Sequence, residues 1–323
     1  MKTLNEPFSK LSMRRRYEVW FLRLGLADGS GAWWFRYLLL NPGRGGCPEN
    51  PQGYPAQVWA SWFPREGKPQ TWIQGFRLEE LRLSRRNSSP FLLEVGDNRI
   101  SENECRGALE IDGRRISWDL RYRSSFHVNL SSMGWIGFSR TPHSDALFSG
   151  QISLDGHSFQ GEPLGFGMQG HNCGYRHRNF WTWTHLHFPG EEKGGSTFEA
   201  LVYEMPLGLF FHRAVLWHNG QIYTFRSLRE DVRDPRELIW RLRASGRPDV
   251  QAEVDIRGRQ GFVHRLPYVK TDCSGQFEVA NDSLAQARMV IQLPGKAPEE
   301  LTTDTGAALE MVGSNFERLH SSS

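Results

Sequence analysis

Two carboxylates sit among aromatic residues in runs that read as β-strands, and each is placed to handle a proton away from water. Glu18 lies in Tyr17-Glu-Val-Trp-Phe-Leu-Arg-Leu24, and Glu199 lies in Ser196-Thr-Phe-Glu-Ala-Leu-Val-Tyr-Glu204. Side chains alternate between faces along a strand. Glu18 therefore shares a face with Trp20, Leu22 and Leu24, and Glu199 with Leu201 and Tyr203. A carboxyl buried on such a face without a partner has a raised pKa and becomes a usable proton donor. The plainer reading is an ion pair, Glu18 with Arg36 on the neighbouring strand, and Glu199 invites the same comparison.

Histidines form the second constellation. His185 and His187 are spaced i, i+2 on a strand, a spacing that can chelate a transition metal, with His171, His177 and His212 as further donors. No third ligand stands at a fixed spacing from the pair, so no metal is expected. Hydrogen-bonded or ligand-contacting histidines are the expected roles. Trp20, Trp34, Trp181, Trp183 and Tyr203, together with His171, Asn172 and His185, are the expected ligand-binding residues. Indole and phenol rings suit flat or greasy ligands, and their π faces stabilise developing positive charge. The sequence has no nucleophile elbow, no phosphate loop and no dinucleotide fingerprint after a strand, so no cofactor is expected.

The elements that must position these residues are strands, and the second half of the chain echoes the first. Tyr17 to Leu24, the turn Ala27 to Gly31 and Ala32 to Leu40 form an aromatic strand, a Gly-containing turn and an aromatic strand. Phe180 to Phe188, Pro189 to Gly195 and Ser196 to Glu204 repeat that order. Gln57 to Phe63 and Thr71 to Phe76 match Leu209 to Trp217 and Gln221 to Phe225. Ile116 to Tyr122 matches Leu238 to Ala244. Aligned on this repeat, Trp181, Trp183, His185 and His187 correspond to Glu18, Trp20, Leu22 and Leu24, which makes theirs the inner face of the second module. Asp112-Gly113, Asp155-Gly156 and Asn219-Gly220 mark two-residue hairpin turns. Residues 41–54 read as a long Pro- and Gly-rich loop. Short helices are expected at 76–86 and 229–237. The run Gly161 to Gly174 is too Gly-rich for a strand or helix and stands where a linker should be. Two all-β modules follow, 1–172 and 173–323.

The bulk numbers agree. With 323 residues the chain is long enough for two domains, each with its own core. Twelve tryptophans and an aromatic content of 12% favour strands. A formal charge of +3 is too weak to argue for nucleic acid. The arginine clusters at 14–16, 85–86 and 114–115 read as a solvated rim, with an anionic partner as the sharper alternative. Cys47, Cys105, Cys173 and Cys273 are scattered without metal-site spacing. The first ten residues contain no apolar run, so no signal peptide is expected, and no stretch is long enough for a transmembrane segment. A cytoplasmic setting is the expectation.

At Gly170-His-Asn-Cys-Gly174 followed by Trp181-Thr-Trp183, the chain resembles the two-module lipocalin-like superfamily. This contains the AttH-like proteins, carotenoid 1,2-hydratases (hydroxyneurosporene synthases), tocopherol cyclases and Diels-Alderase-type proteins. Members often carry Gly-His-x-Trp-Gly before a Trp-x-Trp strand, and here Cys173 takes the place of the tryptophan. The opening strand with Glu18 and Trp20 and the run Thr305 to Gly313 are also similar. The resemblance implies two tandem lipocalin-like (calycin) antiparallel β-barrels or strongly curved sheets, with isoprenoid, polyene or prenylated quinol substrates. It implies hydration or ring closure without an organic cofactor.

Three functions are compatible with these readings. The first is a cofactor-independent lyase or isomerase of the hydratase or cyclase type, acting on a lipophilic isoprenoid or polyene-like substrate, with Glu18 or Glu199 as the acid. The second is a carrier of a hydrophobic small molecule, which needs no acid. The third is an adaptor that binds a protein or membrane surface through its Arg-rich loops.

Overall fold

The computed structural model describes residues 4–8, 16–41, 55–84, 90–133, 137–190, 195–247, 249–271 and 275–313. The Pro/Gly-rich loop from residue 42 on, Arg14, Arg85, Arg86, Cys47, Cys273 and the C-terminal serines lie outside the described residues.

Strands dominate. The first sheet is built from β1 (Arg16–Leu26), β2 (Gly31–Asn41), β3 (Ala56–Pro64), β4 (Gln70–Phe76), β5 (Leu81–Leu83), β6 (Leu92–Val95), β7 (Asn98–Ser101), β8 (Glu104–Ile111), β9 (Arg114–Arg123), β10 (Val128–Ser132), β11 (Gly137–Leu154) and β12 (His157–Gly174). Its order is β4-β3-β2-β1-β12-β11-β9-β8-β7-β6-β5, with β10 on β11, and it curls into a nearly closed barrel. The second sheet contains β13 (Trp181–Phe188), β14 (Ser196–Glu204), β15 (Phe210–His218), β16 (Gln221–Asp234), β17 (Ile239–Arg247), β18 (Gln251–Arg257), β19 (His264–Val269), β20 (Gln276–Gln292) and β21 (Glu299–Val312). Pairing of β18 with β20 closes eight of its strands into a barrel. The chain divides into two compact units, Met1–Trp62 with Gln70–His177 and Tyr268–Phe277, and Phe63–Pro69 with Arg178–Pro267 and Glu278–Ser323. Among the described residues no helix is long and apolar enough to cross a membrane.

The three hairpin signals act as expected. Asp112-Gly113, Asp155-Gly156 and Asn219-Gly220 all have positive φ at both positions. They join strands in the registers Ile111 to Arg114, Leu154 to His157 and His218 to Gln221. Such turns match the right-handed twist of the strands they connect.

Each barrel has its own interior. In the first unit Trp20, Leu22 and Leu24 join Trp33, Phe35 and Tyr37 in one buried cluster. Tyr37 Oη accepts from Trp118 Nε1 at 3.2 Å, and burial pushes the neighbouring Cys105 thiol up to about 12. In the second unit the interior is Leu186 and Phe188 with Phe198, Ala200, Val202, Leu216 and Trp240.

This corrects the repeat alignment. Strand order does repeat: β1, β2, β3 and β4 run as β13, β14, β15 and β16 do, with β12 and β21 on the far side of the first strand in each. The register does not repeat. Trp20 is inside its barrel, whereas Trp183, His185 and His187 lie on the face of β13 opposite its interior. With a side-chain period of two, a slip of one residue exchanges the faces. The match of 116–122 to 238–244 also slips by a strand. β9 pairs with β11, and its topological counterpart beside β20 is β18, not β17.

The short helices are corrected too. Leu78–Glu80 is a single 3-10 turn before β5, and 229–234 continues β16. The Gly-rich run is not a linker but the end of the long strand β12, paired with β1 from Gly165 to Gly174. A Cβ at Gly165 or Gly167 would overlap the carbonyl oxygen of Gly25 or Arg23 on β1. Glycine is there because the two backbones leave no room for a side chain. Gly167→Ala should destabilise the protein by about 2–4 kcal/mol, since only main chain could move aside, as read from urea unfolding midpoints.

Candidate functional site

Pairing of β1 with β12 sets Trp20 opposite His171 and Glu18 opposite Cys173. All four therefore point into the first barrel. Glu18, Trp20 and His171 are each 0% exposed. His171 Nε2 lies 2.8 Å from Glu18 Oε1, and His171 Nδ1 lies 2.8 Å from the Leu4 carbonyl oxygen.

These two contacts decide the proton count. The Leu4 carbonyl only accepts, so Nδ1 carries a hydrogen. The short contact from Nε2 to Glu18 then requires one further proton between them. The pair is either imidazolium with carboxylate or imidazole with carboxylic acid, and in both forms it holds one transferable proton. The Phe8 backbone N–H donates to the same Glu18 oxygen at 2.8 Å, which favours the carboxylate. Trp20 stacks flat on His171, with centroids 4.4 Å apart and planes 14° off parallel. Phe138 meets His171 edge-on at 4.8 Å.

The segment 4–8 covers this pair. Besides the Leu4 and Phe8 contacts, the Asn5 carbonyl accepts from Trp20 Nε1 at 3.3 Å, and Asn5 Oδ1 accepts from Gln169 Nε2 at 2.9 Å. Arg16 packs its guanidinium over Phe8 at 4.3 Å and donates to Cys173 Sγ at 3.5 Å. Burial, reinforced by the charge on Glu18, pushes the Cys173 thiol well above its usual range, so it stays neutral. Gln169, Asn5 and Arg16 were not anticipated from the sequence. Gln169 stands two residues before His171 on one face only if the run is strand, whereas its composition is that of a linker.

Arg36 is not the partner of Glu18. It lies opposite Phe21, on the other face of β1 and β2. Trp34 and Asn172 are on that outer face as well, away from Glu18. His177 stacks on Tyr17 at 4.1 Å and accepts or donates to Thr271 Oγ1 at 3.0 Å. Burial, then the Arg36 charge, push His177 from 6.5 down to about 3. The unfolded chain protonates this histidine near its ordinary value, whereas the folded chain does so only near 3. The unfolded state thus binds more protons between those values, and the stability His177 contributes above pH 6.5 is lost as pH falls toward 3. Urea midpoints followed from pH 7 to 4 should fall less steeply for His177→Gln than for the wild type.

The remaining expected residues gather on the second barrel, on the face of β13 away from its interior. Trp183 Nε1 donates to Glu199 Oε1 at 3.1 Å, and His185 sits opposite Glu199 in the β13–β14 register. Trp181 Nε1 donates at 2.8 Å to Glu310, whose other oxygen accepts from Asn281 at 3.4 Å. Tyr203, opposite Trp181, stacks on Phe211 at 4.8 Å. Glu310 was missed as a site residue, although it lies within the run Thr305 to Gly313 that carried the resemblance. Among the described residues no three His, Cys, Asp or Glu side chains cluster as a metal site.

No protein-family model matches the sequence, and no curated protein matches it. Solved structures do. CghA in complex with Sch210972 superposes with a TM-score of 0.65 at 12% identity, covering 93% of this chain and 89% of that one. Kievitone hydratase from Nectria haematococca gives 0.55 at 11%, covering 98% and 96%. An AttH-type protein from Nitrosomonas europaea gives 0.52 at 12%, covering 94% and 93%. The chain shares their fold. The two-barrel lipocalin-like architecture implied by the Gly170–Gly174 and Trp181–Trp183 motifs is thus present along nearly the whole length. In this fold the first motif forms the inner edge of the Glu18 site, and the second supplies the indole donors to Glu310 and Glu199.

Proposed function

We propose that the protein is a lyase or isomerase of the hydratase or cyclase type that acts on a lipophilic isoprenoid or polyene-like substrate, with Glu18 and His171 as its proton-handling pair. The observation that carries this reading is the 2.8 Å contact between Glu18 Oε1 and His171 Nε2, two fully buried side chains that share one proton. In a water-excluded interior such a proton is shielded from bulk exchange, and its donor strength is set by the stacked and hydrogen-bonded surroundings.

The chemistry needs no other group. The pair donates its proton to one carbon of an olefin, and the positive charge develops on the other. The aromatic rings lining the barrel interior stabilise that charge. Water or a second double bond of the substrate then attacks, and the proton lost from the adduct returns to the pair. Segment 4–8 covers the pair, so substrate entry displaces it. The hydratase among the solved structures of this fold supports the same class of reaction, as does a complex of CghA with a small molecule. Glu199 is the second candidate acid, with Trp181, Trp183, His185 and Tyr203 around it.

Native mass spectrometry of the protein from its own host, with organic extraction of bound material, tests the ligand class. A bound isoprenoid or polyene supports the reading and supplies a substrate. An apo mass together with no uptake of a lipophilic probe counts against it. A carrier would bind the same molecule and leave it unchanged.

A further inference from the structure

Arg36 lies on the outer face of β2, with 5% of its surface exposed. Its guanidinium is boxed by rings. The carbon at its centre is 4.0 Å from the Tyr268 centroid, 4.6 Å from Trp59 and 5.6 Å from Trp34. Among the described residues Nη1 is buried without a hydrogen-bond partner, and no carboxylate pairs with the group. Trp34, two residues earlier on the same face and 4% exposed, has a buried Nε1 that also lacks an acceptor. Trp59 differs, because its Nε1 donates to Gln57 Oε1 at 2.9 Å.

Ring faces attract a cation but leave its in-plane N–H groups unused. His177 is held neutral and supplies no countercharge. Glu18 faces the opposite side of β1. A buried cation with unused donors is costly to keep unless an anion completes it. The unused donors on this face are the guanidinium fork and an indole N–H from residues i and i+2 of one strand, with π surfaces around them.

We propose that Arg36 and Trp34 form an oxyanion-binding site for a lipophilic ligand bearing a carboxylate or an enolate. The guanidinium takes the charged oxygens, Trp34 Nε1 donates to one of them, and Trp59 and Tyr268, edge-to-face with each other, hold the guanidinium in place. Arg36 is a binding residue in this site and takes no part in proton transfer. The site lies on the other face of β1 and β2 from the Glu18–His171 pair, so it stands or falls independently of that pair's chemistry.

Equilibrium dialysis with 2-naphthoate and its uncharged methyl ester tests the proposal on the full chain. The wild type should bind the acid more tightly than the ester. Arg36→Met should weaken the acid by about tenfold or more, because a charge-assisted contact is lost, and leave the ester within about twofold. Arg36→Lys keeps the charge but not the fork and should fall between. Trp34→Phe should weaken the acid alone, by about threefold. Equal wild-type affinity for acid and ester overturns the proposal, as does parallel loss of both in Arg36→Met. Should Arg36→Met fail to fold, the lysine and phenylalanine variants decide. An unchanged acid-to-ester ratio in both then overturns it. Loss of turnover in a Glu18 variant with unchanged 2-naphthoate binding leaves this site intact while testing the other.

Discussion

Glu18→Gln should lower turnover of the substrate by about 10²–10⁴-fold, the usual worth of a positioned proton donor, while ligand affinity changes by less than about threefold. Glutamine fills the same volume and keeps an oxygen for the Phe8 N–H, which now donates to Glu18 at 2.8 Å. Phe8 N–H and His171 Nε2 both meet Glu18 Oε1, so the amide end at that position serves one of the two, while Nδ1 keeps its bond to the Leu4 carbonyl. The carboxyl that shared the proton is gone, at the cost of one hydrogen bond. His171→Gln should cost a similar factor, and the double variant little more than either alone, because two residues that share one proton act as a unit. The assay uses the molecule extracted with the protein, with near-UV circular dichroism to show that the packing around Trp20 is kept. Turnover within twofold of wild type in Glu18→Gln would remove the pair from the mechanism. Glu199→Gln is the matched comparison for the second candidate acid.

Arg233→Met should destabilise the protein by about 2–4 kcal/mol, because four buried acceptors lose a charged donor. Arg233 is 2% exposed and points into the second barrel from β16. It donates to Thr182 Oγ1 at 2.8 Å and to the carbonyls of Val312 at 2.6 Å, Gly313 at 3.0 Å and Trp181 at 3.3 Å, and lies over Phe180 at 3.9 Å. It thus ties β16 to the adjoining ends of β13 and β21. Burial lowers its pKa to about 10, which still leaves it charged at neutral pH. Methionine matches the stem but leaves those acceptors without their donor. Arg233→Lys should lose less, since a point charge can serve some acceptors but not the fork. Urea unfolding gives the magnitude, and faster amide exchange at the ends of β13 and β21 should accompany it. A loss below about 1 kcal/mol would show that water replaces the guanidinium there.

Features that depend on a few neighbouring residues were legible from the sequence. The three Asp-Gly and Asn-Gly turns require positive φ, and only those residue types supply it without strain, so the hairpins stood in the open. The aromatic, alternating strands gave an all-β fold, and the motifs at Gly170–Gly174 and Trp181–Trp183 carried the likeness to the lipocalin-like architecture. Glu18, Trp20 and His171 were each singled out. That His171, rather than Arg36, is the partner of Glu18 was not visible, because 153 residues separate them and only the β1–β12 pairing joins them.

The local rules failed where long-range geometry overrode them. Gly161 to Gly174 has a linker's composition, yet it is strand paired with β1, with glycine at 165 and 167 where the β1 carbonyls leave no room for a Cβ. The inner face of β13 was misassigned because a repeat alignment fixes order but not register, and one residue of slip turns Trp183 and His185 away from the core. By itself, then, the amino-acid sequence determined strand content, turn positions and the residue types available for chemistry, since those follow from local propensity and spacing. Only the tertiary structure decided which carboxylate meets which histidine, which face is buried inward and that Arg36 meets rings rather than a carboxylate among the described residues, since those depend on strand pairing between residues far apart in the chain.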